Sequence, residues 1–201
     1  GFELQGATGV RATGQTGFVV QNNKITALAL GVDLESISTA ASAFTVRDNC
    51  VTLTSQELAG PTPTVGILLA GVVGPNAPTI QDNNVAGAYY GYVLFALNTA
   101  PAVTVQGGTI TGVMQGVAAV NAFPPTAPVF APGTFALNGI AMSGFAGNHP
   151  ALPGANFHAG VYVFTGGAVP AATLTGNLQS LSISGTGKPG QDSAGLSFAD
   201  F

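Results

Sequence analysis

One short pattern of apolar and polar positions recurs six times along the chain. It consists of an apolar residue, two intervening positions and then Asn or Gly, usually followed two residues later by a β-branched aliphatic residue. The copies occupy residues 20–25, 46–51, 80–85, 105–110, 135–140 and, more loosely, 174–179. Because Asn and Gly tolerate a positive φ best, this recurrence predicts the same sharp corner between two β-type segments in every repeat. Such a period is typical of a solenoid.

A second pattern follows each corner and begins with a Gly, then an aliphatic or aromatic residue, then alternating positions. It starts at Gly9, Gly31, Gly66, Gly91, Gly116, Gly160 and Gly195. β-Branched residues are frequent and Gly interrupts nearly every ten-residue window, so almost no helix is expected. The two patterns predict an all-β solenoid of about six to seven coils. A β-sandwich is the alternative, although its topology would not repeat one corner in every unit.

Pro- and Gly-rich stretches at residues 60–63, 123–133 and 148–154 account for the unequal spacing of the repeats. Insertions in a solenoid belong in loops and leave the coil itself unchanged. The 201 residues fit one solenoid domain spanning residues 1–201. The chain ends on a strand-like segment with no cap after it, so we expect it to be a segment of a longer protein.

These corners and Gly-led strands resemble the right-handed parallel β-helix repeat of the pectate-lyase-like superfamily, and in character they are closest to bacterial surface and adhesin-type β-solenoids. The resemblance implies that asparagines at successive corners stack into a hydrogen-bonded ladder, since neighbouring strands lie about 4.8 Å apart. The predicted ladder residues are Asn23, Asn49, Asn83, Asn138 and Asn177. Gly108 takes the place of Asn in the fourth copy, where a gap in the ladder is expected.

Composition limits the range of partners. Only 6% of residues are charged. The chain has eight Asp and Glu residues and four Lys and Arg residues, which gives a net charge of −4. No face can carry a basic stripe suited to phosphate backbones, which argues against nucleic acid as a partner. Apolar runs are broken within about ten residues, too short for a membrane-spanning helix. The single cysteine, Cys50, is predicted to be a buried filler.

Two pairs of acidic residues are the candidates for chemistry. Alternation in the strand after Gly31 turns Asp33 and Glu35 outward, with their Cα atoms about 6.6 Å apart, close to the carboxyl separation of inverting glycosidases. They are weak catalytic candidates, and solvated surface charge is the expected alternative. Asp48 and Asp82 occupy the same corner position in adjacent repeats and are weak calcium candidates, because Ca²⁺ normally takes six or more oxygen ligands. Otherwise no cofactor is expected.

Aromatic and apolar residues suggest contact surfaces. Tyr89 and Tyr90 are predicted turn residues and weak candidates for stacking on sugar rings. A row of outward apolar positions is predicted to form a contiguous stripe, comprising Leu68, Val93, Phe95, Val120, Tyr162 and Phe164. Because monomers rarely leave such a stripe in water, another part of the chain, a neighbouring module or a second copy is expected to cover it.

The sequence as a whole favours a non-enzymatic structural or adhesive module of an extracellular surface protein or fibre. Such a module would associate with itself, laterally or end to end, or with neighbouring modules of the same protein. The alternatives are a glycan- or host-binding module and a polysaccharide lyase or hydrolase of the pectate-lyase-like or tailspike type.

Overall fold

The computed structural model describes residues 1–55, 63–95, 97–99, 102–122, 133–146, 158–166, 174–185 and 193–200, and none of these residues is helical. Most of the three predicted insertions lie outside the described residues. The strands, in chain order, are β1 Glu3–Thr13, β2 Val19–Gln21, β3 Lys24–Glu35, β4 Thr45–Arg47, β5 Cys50–Leu53, β6 Val65–Ala70, β7 Val73–Gly74, β8 Thr79–Gln81, β9 Asn84–Ala86, β10 Tyr90–Phe95, β11 Asn98–Thr99, β12 Val103–Gln106, β13 Thr109–Thr111, β14 Gln115–Ala122, β15 Gly133–Asn138, β16 Ala141–Ser143, β17 His158–Gly166, β18 Leu174–Gln179, β19 Ser182–Ile183 and β20 Ser193–Asp200.

The described strands pair in parallel and form three sheets. A six-stranded sheet has the order β18-β15-β12-β8-β4-β2, and β7 pairs with β11 in a small sheet of two strands. A twelve-stranded sheet has two arms that meet at β3: β5, β9, β13, β16 and β19 extend one arm, while β6, β10, β14, β17 and β20 extend the other. Neighbouring strands therefore come from successive repeats of the chain, and the predicted all-β, helix-poor character is confirmed.

β3 joins the two arms because it is long enough to pair twice. Its first half pairs with β5 from Lys24 to Ala27, and its second half pairs with β6 from Leu30 to Glu35. β1 covers both halves of β3 from the other side, with a register irregularity between Gly6 and Thr8. The segment of β1 that starts at Gly9 is therefore the first of the Gly-led segments in this stack of strands.

The core consists of columns of apolar residues that run across the sheets. One column comes from the six-stranded sheet and contains Val20, Val46, Ile80, Val105 and Leu137; two further columns come from the two arms and contain Ile25, Val51, Val85, Ile110 and Met142, and Val32, Ile67, Tyr92, Val117 and Val161. Each fully buried large side chain contributes roughly 1.5–3 kcal/mol. The same register places like residues above one another from repeat to repeat.

The seven glycines that begin the second pattern form a column of their own, the glycine column. A Cβ on Gly31 would lie 2.5 Å from the carbonyl oxygen of Gly66, and one on Gly66 would lie 2.6 Å from that of Gly91. The same Cβ positions also meet the side chain that follows the corner in the next repeat, Val51 above Gly31 and Val85 above Gly66. Glycine is therefore required by close packing between repeats, which explains why the two sequence patterns recur together.

The predicted burial of Cys50 is wrong. Cys50 is exposed, whereas the next residue, Val51, is fully buried. Cys50 pairs with Lys24 on one side and Asn84 on the other, at the first position of its strand. Because side chains alternate along a strand, an inward Val51 turns Cys50 outward.

Candidate functional site

The corner is the most regular feature of the molecule. In each of the six repeats one residue has a positive φ between 51° and 66°: Asn22, Asp48, Asp82, Gly107, Gly139 and Ser180. Asn, Asp and Gly are the residues that adopt this left-handed conformation at least cost, which is why the sequence marks the corner by composition. In the first three repeats the left-handed residue directly precedes the ladder asparagine.

The first three asparagines form a hydrogen-bonded ladder. The amide of Asn23 donates to Oδ1 of Asn49 at 3.1 Å, and the amide of Asn49 donates to Oδ1 of Asn83 at 2.9 Å. The backbone N–H groups of Asn23 and Asn49 donate to the same two oxygens. The side-chain amide of Asn49 also donates to the backbone carbonyl of Val20. In the same way, the side-chain amide of Asn83 donates to the backbone carbonyl of Val46. Asn49 and Asn83 are 1% exposed, so the ladder satisfies polar groups inside the fold.

Asn138 and Asn177 do not belong to the ladder. Asn138 pairs with Gln106, and Asn177 pairs with Ala136, so both lie within strands that precede the corner. The observed register shifts the fifth pattern by two residues, so that Ile140 aligns with Gly108 and occupies the position predicted for a ladder asparagine. The sequence pattern was misleading at Asn138 because the asparagine precedes the left-handed residue, Gly139. In the first three repeats the ladder asparagine follows the left-handed residue.

Gly108 ends the ladder for a steric reason. A Cβ at this position would overlap the carbonyl oxygen of Asn83, and Gly108 has a φ of 77°. The side chain of Asn83 already accepts from Asn49 and donates to the carbonyl of Val46. Tyr92, a core residue that is 1% exposed, lies in the neighbourhood of Asn83. Burial raises the pKa of Tyr92 well above its ordinary value, and the polar side chain of Asn83 opposes this only in part.

Asp48 and Asp82 stand at successive corners in the left-handed conformation, and both are exposed. The Asp48 carboxylate lies 3.7 Å from the guanidinium of Arg47. The Asp82 carboxylate lies directly against Gly107, because a Cβ on Gly107 would overlap Oδ1 of Asp82. Both acids thus have local contacts at the corner, and calcium binding there stays a prediction. Within the described ranges no three His, Cys, Asp or Glu side chains cluster as a metal site would need.

The expectation that Asp33 is solvated is wrong. Its carboxyl is fully buried, and Oδ2 accepts a hydrogen bond from Nε of Arg11 at 2.5 Å. Oδ1 of Asp33 has no hydrogen-bond partner among the described residues. Glu35, two residues on, is half-buried and adds a smaller electrostatic attraction to Arg11, whose pKa is raised chiefly by its hydrogen bond with Asp33.

Arg11 is the functional contact that sequence reasoning missed. It pairs directly with Asp33 because β1 lies beside β3 in register. The signal was present, since Gly9-Val10-Arg11 and Gly31-Val32-Asp33 are equivalent segments that place opposite charges two residues after the glycine. Comparing neighbouring repeats position by position would have found the ion pair.

The two tyrosines do not lie in an exposed turn. Tyr90 is the first residue of β10 and is half-buried, and Tyr89 is 6% exposed. Their rings form an edge-on pair with centroids 4.6 Å apart. Burial raises the pKa of Tyr90, and nearby Tyr162 adds to this shift. This geometry offers little free ring face to a sugar, and glycan contact stays a prediction.

The predicted apolar stripe occupies adjacent columns of one arm. Leu68 pairs with Val93, Phe95 pairs with Val120, and Tyr162 follows Val93 across the buried Ala118. Leu68, Val93, Phe95, Val120 and Tyr162 are all half-buried, and the side chain of Phe164 lies outside the described residues. The described stripe is therefore partly covered within a single chain.

Exposed apolar side chains are concentrated at the two ends of the stack. Phe2 is 76% exposed and Val19 58% exposed at the first end, and Leu196 is 48% exposed at the other. Leu28 in β3 completes the strongly exposed large apolar residues among those described. Beside the open edge of β2 lies an open groove of about 370 Å³, lined by Gly1, Phe2, Val19, Gln21, Asn22 and Asn23.

Comparison with known proteins adds no relative: no protein family, curated protein or solved structure matches the chain. In the part of the chain that the structure describes, no helix is long and apolar enough to cross a membrane.

Proposed function

We propose that this chain is a right-handed parallel β-helix that serves as a non-enzymatic structural or adhesive module of an extracellular surface protein or fibre. The observation that carries the proposal is the unbroken parallel register of the Gly-led strands, from β1 through β3, β6, β10, β14 and β17 to β20. A strand order that follows the chain order supports a solenoid over a barrel. Right-handedness is supported because parallel crossovers within one sheet are right-handed in about 98% of cases.

The internal organisation supports a mechanical role. Columns of buried aliphatic residues, a buried asparagine ladder and a close-packed glycine column run in the same direction through the stack. The described strands of each repeat pair with those of its neighbours, and in a solenoid such nearest-neighbour contacts give a stiff rod. The Asp33 carboxyl, the leading catalytic candidate, is buried against Arg11 and holds β1 to β3, which supports a structural role for this charge.

Self-association is the testable part of the proposal. Sedimentation velocity over a wide concentration range, with negative-stain electron microscopy of the same samples, should reveal rods that join into fibres or sheets. A strictly monomeric particle at every concentration would contradict self-association. Release of new reducing or unsaturated ends from a panel of acidic and neutral polysaccharides would instead favour the enzymatic alternative, and a positive glycan array would favour the binding module.

A further inference from the structure

The strands that follow each corner present one side to solvent, which we call the hydroxyl face. It belongs to the arm that runs from β3 through β5, β9, β13 and β16 to β19. The outward positions of these parallel strands form two columns. The first column contains Lys24, Cys50, Asn84, Thr109, Ala141 and Ser182, and the second contains Thr26, Thr52, Ala86, Thr111 and Ser143. Threonine or serine occupies six of these eleven positions.

The polar groups of the hydroxyl face are held in fixed places. The residue between the two columns points inward, and Val51, Val85 and Ile110 are at most 1% exposed. Threonine side chains are themselves stiff, because branching at Cβ restricts χ1. Oδ1 of Asn84 accepts hydrogen bonds from Oγ1 of Thr109 at 2.7 Å and from its backbone N–H at 3.1 Å. The face is therefore an ordered surface of short side chains, none of them larger than asparagine except Lys24.

The hydroxyl face repeats in two directions. Neighbouring strands lie about 4.8 Å apart, and the two columns lie about 6.6 Å apart along each strand, because outward side chains alternate with inward ones. Hydroxyl groups both donate and accept hydrogen bonds, as water does. The two spacings are close to the distances between equivalent oxygen atoms on the surfaces of hexagonal ice. The face can therefore hold a layer of water in the arrangement of that crystal.

Charge does not disturb such a layer. Lys24 is the only charged residue among the eleven positions, and it pairs with Glu3 at 2.9 Å. The middle of the face, at Thr52, Asn84, Thr109 and Thr111, is exposed and uncharged. A charged group would orient the nearest water around itself, whereas these groups can join a continuous network of water molecules.

A macromolecular partner fits the hydroxyl face less well. Six strands of three residues cover about 24 Å by 10 Å, or roughly 240 Å², whereas each side of a stable protein interface covers about 800 Å². β5, β9, β13 and β16 each pair with described strands on both sides, so they offer a peptide no open edge for strand addition. A nucleic acid would need a basic surface.

We propose that the hydroxyl face binds the surface of ice crystals. Its hydroxyl groups hold water at lattice positions, and the threonine methyl groups fill gaps in that water layer. Each contact is weak, and binding is the sum of contacts repeated from strand to strand. The inference goes beyond the proposed function and holds equally for a monomeric rod.

Slow freezing of a dilute solution of the full chain tests ice binding. Ice is grown from one side of the stirred solution, and the protein is measured in the melted ice and in the remaining liquid. Growing ice excludes solutes that do not bind, so the wild type should be enriched in ice relative to a non-binding protein of similar size. Thr111→Lys, in the middle of the face, should lower this enrichment about tenfold or more. Circular dichroism should be unchanged, because Thr111 is exposed.

Thr79→Lys is the matched control, since it makes the same change at an exposed threonine of β8 in the six-stranded sheet. This variant should enter ice as the wild type does. Thr52→Lys replaces Thr111→Lys if that variant folds poorly, and Thr111→Ser should retain most of the enrichment. Exclusion of the wild type from ice, or equal losses in the variants of the two sheets, would overturn the proposal.

Ice binding and self-association fail separately. A chain that joins into fibres in sedimentation and electron microscopy, but stays in the liquid on freezing, would overturn ice binding and leave self-association in place. A chain that is monomeric at every concentration, but enriched in ice, would overturn self-association and support ice binding.

Discussion

Asn49 is the central member of the asparagine ladder and the best residue at which to test it. Its side chain donates to Asn83 and to the Val20 carbonyl and accepts from Asn23, all inside the protein. Asn49→Ala should lower the free energy of unfolding by about 2–4 kcal/mol, because several buried partners lose a hydrogen bond. Urea unfolding measures this change. Asn177→Ala, at an exposed strand position, is the control and should change stability by less than about 0.5 kcal/mol. Equal effects would contradict the ladder.

Tyr92 makes stability depend on pH at the alkaline end. Burial raises its pKa, so above about pH 10 the unfolded chain releases the phenol proton while the folded chain retains it. Stability is therefore fully present below that pH and falls as the pH rises. Tyr92→Phe should change stability by no more than about 1 kcal/mol at pH 8 but should show a shallower decline between pH 9.5 and about 11. Urea midpoints across this range test the slope, and some decline should remain because burial also raises the pKa of Tyr90.

At the scale of elements, the glycine column couples each Gly-led strand to the next. A Cβ on Gly91 would lie 2.5 Å from the Gly116 carbonyl oxygen and 2.6 Å from Cγ2 of Ile110. Gly91→Ala should therefore destabilise the chain by about 3 kcal/mol through overpacking. Gly195→Ala, in the same column with open space around it, should be nearly neutral when measured on dilute protein. Thermal unfolding of the two variants makes the comparison, and similar losses would show that the column is not close-packed.

At the scale of the whole molecule, each repeat is stabilised by its neighbours, so the ends should open first. Strands β5, β9 and β13 pair on both sides, whereas β1 and β20 each pair with a single strand among the described residues. Hydrogen exchange followed by mass spectrometry should show the slowest amides in residues 50–53, 84–86 and 109–111 and faster exchange in β1 and β20. Dilute protein is the suitable material, since any association at the ends would protect them. Uniform protection would contradict this gradient.

Much of the architecture was predictable from local chemistry. Residues that tolerate a left-handed conformation recur at Asn22, Asp48, Asp82 and Gly107, and a glycine is the second or third residue of each strand in the arm from β6 to β20, so the repeating corner and the near absence of helix follow from the sequence. The interior position of Tyr92 follows from alternation after Gly91. These features depend on backbone sterics and on the alternation of side chains along a strand, and neither depends on residues that are distant in the sequence.

What only the tertiary structure decided is the register between repeats and its consequences. Pairing Leu137 with Val105 moved Asn138 and Asn177 out of the ladder, and pairing Arg11 with Asp33 turned a candidate surface acid into a buried carboxyl that an exposed arginine contacts. The physical reason is that a parallel strand is aligned by the packing of its whole repeat, so a shift by an even number of residues retains alternation and is invisible to a local pattern.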